Sequence, residues 1–372
     1  MDMMVKDCED RMLEYSWKYI KEKYKKLSFE KSIFKDRDIV LFGVGMQVAE
    51  AIEIFKTGNK RLYLTDNNPE LWGKKVSGIL VISPSEIPTL EAPFIIVTTA
   101  TRNYASIFKQ LEDLKINYIS LFRYIFAKEV EAFNKINEGF LYDKESKKVW
   151  LGVLYAKLTG NMEILRDLYS ENQYYAIPEF NKISNENIMV DCGAYVGDSL
   201  ECFIYKNCGI LRKIYAFEPG RRQFNALKFR CNRLINEWAL DEGQIVLENL
   251  GVGEKTLKQV ELNFADATAS RNSNIGFDMQ TIDMISLDNY FSDLNERITY
   301  IKADIEGFEM EMLKGAQNII KKYKPNLAIC VYHKPLDLIK IPEYIKSLVP
   351  EYRMSLRHHS VLDEETVLYC YL

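Results

Sequence analysis

The sequence predicts an α/β protein of two parallel-sheet units joined by a helical connector, the second sheet closing on an antiparallel hairpin. Three observations lead there. In two regions, short apolar runs rich in β-branched residues alternate with stretches of helical periodicity, the pattern of strands that need crossover helices. Between these regions apolar residues recur only at helical spacing. The chain then ends in two strand-like runs, "YRMSLRHHS" and "TVLYCYL", flanking the polar turn "VLDEE". A length of 372 residues is also more than one ordinary core needs.

Residues 1–36 form the first segment, an N-terminal helix with Tyr15, Tyr19, Ile20 and Tyr24 as its apolar stripe. Residues 37–123 form the first α/β unit. Its opening, "RDIVLFGVGMQVAEAIEIF", is a strand, a glycine turn and an amphipathic helix; "RLYLTDNNP" and "FIIVTTAT" supply further strands. Gly43 and Gly45 have the spacing of a dinucleotide-binding turn, and Asp66 ends the next strand where a carboxylate meets a ribose hydroxyl. Val48 stands where that fingerprint has its third glycine, so two readings stay open. Gly43, Gly45 and Asp66 make a second nucleotide site, or the unit is a degenerate Rossmann-like fold kept for homo-oligomerisation or architecture.

Residues 124–187 read as the helical connector, able to pack on the second unit as a lid. Residues 188–372 are the second unit, with strand-like runs "NIMVD", "KIYAFE", "QIVLENL", "TYIKADI" and "NLAICVY" before the hairpin. The stretch from Val252 to about Arg297, containing "NFADATASRNSNIGFD", reads as a polar excursion suited to covering an acceptor.

Composition narrows the partner. The chain is 47% hydrophobic and 27% charged with a formal net charge of −4, so no basic field argues for nucleic acid. No run of about 18 apolar residues offers a membrane span. Charges scattered through the first residues are not those of a secretory signal, and the seven cysteines show no CxxC pair. The expectation is a cytoplasmic protein with reduced thiols and a small-molecule or glycan partner.

In an open parallel sheet, ligands bind beyond the carboxyl ends of the strands. Here those ends are Asp191, Glu218, Asn249, Asp304 and His333. The loop after the first strand, "DCGAYVG", turns on Gly193 and Gly197 but lacks the GxGxxG spacing for a pyrophosphate. Glu218, about 27 residues after Asp191, is placed to accept from both hydroxyls of a ribose. A ribose without a pyrophosphate points to an adenosine-like cofactor such as S-adenosylmethionine; taken alone, the glycines could equally be a simple turn.

The segments "VDCGAYVGDS", "YAFEPGRRQFNALKFRCN", "ISLDNYF" and above all "IKADIEGFEMEMLKGA" resemble FkbM-type S-adenosylmethionine-dependent methyltransferases, a branch of the Rossmann-like class I methyltransferases. The resemblance covers residues 188–372 and implies S-adenosylmethionine as cofactor. It carries the cofactor contacts onto Asp191, Gly193, Ala194, Tyr195, Gly197, Glu218 and Pro219. Tyr195 stands where the family often has Asn. Asp198 and Ser199, which continue the loop, and Asn249 and Gly251, after the third strand, complete the candidate set. The first unit, through "TDNNPELWGKKVSGILVISPSEI", resembles N-terminal nucleotide-binding domains of bacterial surface-glycan enzymes. Together these resemblances imply O-methylation of a sugar, nucleotide sugar or glycan precursor.

Transfer to an alcohol oxygen requires the oxygen in line with the methyl group and a base for its proton. His333 is the candidate base, with Asp304 as its partner or as the group that positions the acceptor; a histidine that merely caps a strand end is the alternative. Glu306, expected to open the helix after Asp304 with Glu309 on the same helical face, joins His333 and Asp304 as a candidate catalytic residue; the alternative is that both glutamates merely complement the helix dipole. Asp304, Glu306 and His333 could also hold a divalent metal, but the resemblance does not imply one and none is assigned. A non-catalytic nucleotide-binding module and an NAD-dependent oxidoreductase using the first unit remain as other readings.

Overall fold

The strand Asp38–Phe42 (β1) is buried along its whole length because helices cover both of its faces. The structure, a computed structural model, describes residues 16–25, 34, 37–56, 61–263, 279–294 and 296–372. Around β1 lie β2 (Arg61–Thr65), β3 (Lys75–Val76), β4 (Ile79–Ile82), β5 (Phe94–Val97) and β6 (Asn117–Ser120), in the order β3-β4-β2-β1-β5-β6. All neighbours pair in parallel except β3 with β4. Alternation along β1 and β5 decides which helix goes where. Ile39, Leu41, Phe94 and Ile96 share a core with the helix Val48–Phe55, whereas Val40, Phe42, Ile95 and Val97 share one with the helix Tyr104–Asp113.

The first helix is described over Trp17–Tyr24, with Ile20 and Tyr24 buried and Tyr19 half-buried; Tyr15 lies outside the described residues. Between the sheets run the helices Leu121–Lys128, Val130–Lys135, Lys144–Thr159 and Glu163–Asp167. Phe126, Phe133 and Trp150 are fully buried in a cluster that continues from Leu41 on one side to Ile301 and Leu356 on the other. These helices are therefore part of the core. Asp143 caps the helix Lys144–Thr159 by accepting from Ser146 N at 2.8 Å and also accepts from Ser355 Oγ, which fixes the helix to the C-terminal hairpin.

The second region carries β7 (Ile188–Cys192), β8 (Lys213–Phe217), β9 (Ile245–Glu248), β10 (Gly251–Val252), β11 (Leu257–Asn263), β12 (Met279–Ile285), β13 (Tyr300–Ala303), β14 (Asn326–Cys330), β15 (Arg353–His358) and β16 (Thr366–Tyr371). Its main sheet has the order β15-β16-β14-β13-β7-β8-β9. Only β16 runs against its neighbours, β14 and β15. The C-terminal hairpin is thus present as expected, with β16 inserted between β14 and β15. Strand order reverses between β7 and β13, opening a cleft beyond their carboxyl ends.

The stretch after Val252 differs from the polar excursion expected. β10, β12 and β11 form a separate three-stranded sheet, and the helix Leu287–Tyr290 follows. In "LKQVELN" and "MQTIDMI" the apolar residues do not alternate strictly, and the pairing shifts register between Leu257 and Val260, so the strand signal is weak; Ile282 and Met284 supply the buried face. Most of "NFADATASRNSNIGFD" lies outside the described residues.

Candidate functional site

β7 and β13 pair so that Asp191 and Lys302 are opposite each other, both essentially without exposure. Lys302 Nζ lies 3.1 Å from Asp191 Oδ1 and donates to the Gly193 carbonyl at 2.6 Å. Burial alone would lower the Lys302 ammonium, but Asp191, then Asp304, hold it above its ordinary value. Ser199 Oγ donates to the other Asp191 oxygen at 2.5 Å. Asp191 is therefore internal to the sheet and holds the loop that follows it.

That loop leaves β7 through Gly193, at φ +77°, where an added Cβ would lie 1.9 Å from the Asp304 carbonyl oxygen. Only glycine allows the loops after β7 and β13 to meet so closely. Tyr195, at φ +48°, also occupies the left-handed region, in which Asn is comfortable and Tyr is not. Its backbone N–H donates to Glu218 Oε2 at 2.9 Å, and Gly220 N donates to Oε1 at 2.7 Å. Burial pushes the Glu218 carboxyl up to about 7 against these two bonds. Asn249 Nδ2 donates to the carbonyls of Glu218 and Pro219, pinning the turn after β8.

These loops border a cavity of about 420 Å³. Of the cofactor candidates, Gly193, Tyr195, Asp198, Ser199, Glu218, Pro219 and Gly251 line it. Asp191, Ala194, Gly197 and Asn249 stand behind that lining and shape it. Phe217, Leu250, Val252, Ile282 and Met284 give one side an apolar surface. The lining suits an adenosine: a carboxylate to accept from ribose hydroxyls and an apolar slot for a flat ring.

At the other side stand Asp304, Glu306, Tyr174, Tyr332, Gln173 and Glu365. Tyr174 donates to Asp304 Oδ2 at 2.8 Å and Tyr332 to Oδ1 at 3.1 Å. Burial opposes ionisation of Asp304, yet His333, Lys302 and the two phenols hold its carboxyl below its ordinary value. Glu365 accepts from Gln173, and burial together with the Asp304 charge pushes its carboxyl up to about 7. Four residues of the cavity lining that are not glycine adopt positive φ: Tyr174, Tyr195, Glu306 and Glu365. Backbone held in this region is costly and gathers where a site requires it.

His333 differs from its expected role. Its ring is buried behind the rim, with Nδ1 3.0 Å from Glu309 Oε1 and Nε2 3.5 Å from both Asp304 Oδ1 and Glu306 Oε2. The 3.0 Å contact is an ion-pair approach without the alignment of a good hydrogen bond. Burial would lower the imidazole, but Glu309, Asp304 and Glu306 raise it to about 10. His333 is buried and does not line the cavity, and three carboxylates favour its cationic form, so its place suits balancing their charge rather than taking a proton from an acceptor. Glu306 also departs from expectation. It lies in a turn at φ +55°, half exposed, and the helix begins only at Glu309. Glu309 is fully buried and accepts from Ile305 N at 2.9 Å, so it does more than complement a dipole.

Sequence reasoning missed Lys302, Tyr174 and Glu365. A lysine inside an otherwise apolar strand was the signal for Lys302. Tyr174 and Glu365 come from the connector and the hairpin turn, which no local pattern links to β13. In the first unit, Asp66 accepts from Val44 N at 2.9 Å and Asn68 N at 2.8 Å, one bond at each carboxylate oxygen, which braces the turn after β1 and leaves each oxygen a further lone pair. Gly43, at φ +113°, and Gly45 lie in that same turn.

Residues 191–360 match the family model described as Methyltransferase FkbM domain, and residues 35–120 match that described as C2185-like, N-terminal. A comparison with curated proteins gives no match. Among solved structures, the chain resembles methyltransferase FkbM from Methylobacillus flagellatus, at 22% identity and a TM-score of 0.57 over 98% of this chain and 99% of that one. At such identity the likeness concerns the fold. An rRNA methylase from Streptococcus thermophilus aligns with 54% of this chain and 96% of its own, at 14% identity and a TM-score of 0.35. A putative methyltransferase from Streptococcus mutans, solved in complex with SAH, aligns with 51% of this chain and 91% of its own, at 12% identity and a TM-score of 0.30.

Lys302→Met leaves Asp191 as an unpaired buried charge and is expected to lower unfolding stability by about 3 to 5 kcal/mol. Adding Asp191→Asn should restore much of the loss; equal denaturation midpoints for wild type and Lys302→Met would contradict the pairing. His333 has a folded pKa above its ordinary value of 6.5. Its pairing therefore stabilises the fold fully below about pH 6.5 and is lost as pH rises toward about 10. NMR of ¹⁵N-labelled imidazole should show His333 as imidazolium at pH 8, and a neutral ring there would refute the assignment.

Proposed function

We propose that the chain, whose residues 191–360 match the Methyltransferase FkbM domain, is an S-adenosylmethionine-dependent O-methyltransferase acting on a sugar hydroxyl. The observation that carries this reading is one cavity with a ribose-competent carboxylate, Glu218, at one side and an ionised carboxylate, Asp304, at the other. S-adenosylmethionine, when bound, supplies an electrophilic methyl group for the acceptor oxygen.

The chain's own residues do the rest. Glu218 accepts from ribose hydroxyls through lone pairs that Tyr195 N and Gly220 N leave unused. Gly193 and Asp198 border the cofactor at the cleft between β7 and β13. Asp304, oriented by Tyr174 and Tyr332, accepts from the acceptor hydroxyl and aims its oxygen. Glu365, titrating near neutrality, is suited to take the proton as the oxygen–methyl bond forms. His333 keeps Asp304 ionised. Among the described residues, the charged lining is Asp198, Glu218, Asp304, Glu306 and Glu365 against Lys302. Even with Glu218 and Glu365 partly protonated near pH 7, Asp198, Asp304 and Glu306 outnumber Lys302, a balance that favours an uncharged sugar over a diphosphate held within the cavity.

Calorimetric titration should show S-adenosylmethionine binding to the protein, weakened roughly a hundredfold by Glu218→Ala as two ribose hydrogen bonds to a charged group are lost. Binding that ignores Glu218 would sink the reading. Mass spectrometry of a panel of free sugars and nucleotide sugars should find a gain of one methyl group on an uncharged sugar. With that acceptor, Glu365→Gln is expected to lower kcat about a hundredfold and to remove the rise in rate near pH 7; an unchanged pH profile would acquit Glu365.

A further inference from the structure

The cavity is not walled by the second unit alone, because Met46, from the turn after β1, also lines it. Met46 is 37% exposed, and a Cβ built on the neighbouring Gly45 would meet nothing within 4 Å, so the turn projects into open space. Three contacts fix where along the cavity this turn arrives. Thr101 N, after β5, donates to Asp363 Oδ2 at 2.9 Å, and Arg102 pairs with Glu364. Both partners immediately precede Glu365, whose carboxyl feels the Asp304 charge. Glu50, in the helix that Met46 precedes, accepts from the Leu336 backbone N–H, three residues after His333. The first unit thus abuts the two segments that build the Asp304 side of the site, residues 331–340 and 359–365.

We propose that the first α/β unit contributes a wall of the acceptor site, and that Met46 sets which acceptors fit. The proposal rests on the reading of the cavity as a methyl-transfer site. A flexible, polarizable side chain between the two sheets' carboxyl ends is suited to the apolar face of a sugar ring, while the carboxylates opposite take its hydroxyls. Met46 acts on the acceptor's size and shape; the bond-making step remains with Asp304 and Glu365.

The test needs no known acceptor. In S-adenosylhomocysteine, replacing the sulfur with a nitrogen that carries alkyl or hydroxyalkyl arms of increasing length sends the arm where the transferred methyl would point. Binding of S-adenosylhomocysteine and of each armed analogue is measured calorimetrically on the full chain and on Met46→Ala and Met46→Trp, with thermal unfolding to verify that each is folded. S-adenosylhomocysteine should bind all three proteins within about twofold. The longer arms should lose about tenfold in Met46→Trp, and the preferred length should increase in Met46→Ala. The same dependence on arm length in all three proteins, or a loss in Met46→Trp shared equally by S-adenosylhomocysteine, would overturn the assignment. Failure of S-adenosylhomocysteine to bind the unaltered chain would instead remove the methyl-transfer reading beneath it.

Discussion

The ion pair between Asp191 and Lys302 is the constraint around which the site is assembled. The two residues face each other across β7 and β13 at the dry centre of the sheet. Either charge alone would be untenable there, whereas together, and with further hydrogen bonds, they are tolerated. The remaining ammonium hydrogens reach the backbone: Nζ approaches the carbonyl oxygens of Gly193 and Cys192. The pair thereby fixes the turn that carries the cofactor loop, and Gly193 brings that turn against the backbone of Asp304.

From this pair the charges alternate outward. Lys302 is followed by Asp304, then His333, then Glu309, so that each cation has carboxylates on more than one side. The arrangement leaves Asp304 ionised at the cavity wall and raises the proton affinity of Glu365 beside it. Neighbouring carboxylates driven apart in this way can divide the work of holding a hydroxyl and accepting its proton. The strained backbones of Tyr174, Tyr195, Glu306 and Glu365 belong to the same economy of position. Each sits at the cavity wall, where turning the chain back matters more than local comfort.

Much of this was legible along the chain, because parallel sheets have a strong periodic signature. Buried runs such as "NIMVD" and "NLAICV" need helices between them, and their polar final residues mark the binding edge. Asp304 and Glu218 were found by that rule, and both line the cavity. The rule failed where the neighbours of a strand end decide its chemistry. His333 had the residue type and position of a base, but the three carboxylates that keep it protonated come from a turn and a helix start after β13. Glu306 was misplaced because "DIEGFE" has an acidic helix-start composition; the turn at Gly307 delays the helix to Glu309. The β11 and β12 strands give a weak signal because their apolar residues do not alternate strictly and the pairing shifts register after Leu257.

What the sequence by itself determined was the order and type of the main elements, the C-terminal hairpin and the edge at which a ligand would bind, since each depends on residues close together along the chain. Only the tertiary structure decided protonation and enclosure. Charge states depend on distances between groups brought from separate elements, as with Lys302 opposite Asp191. The cavity wall likewise depends on surfaces far apart in sequence, with Tyr174 from the connector, Glu365 from the hairpin turn and Met46 from the first unit all lining one cavity.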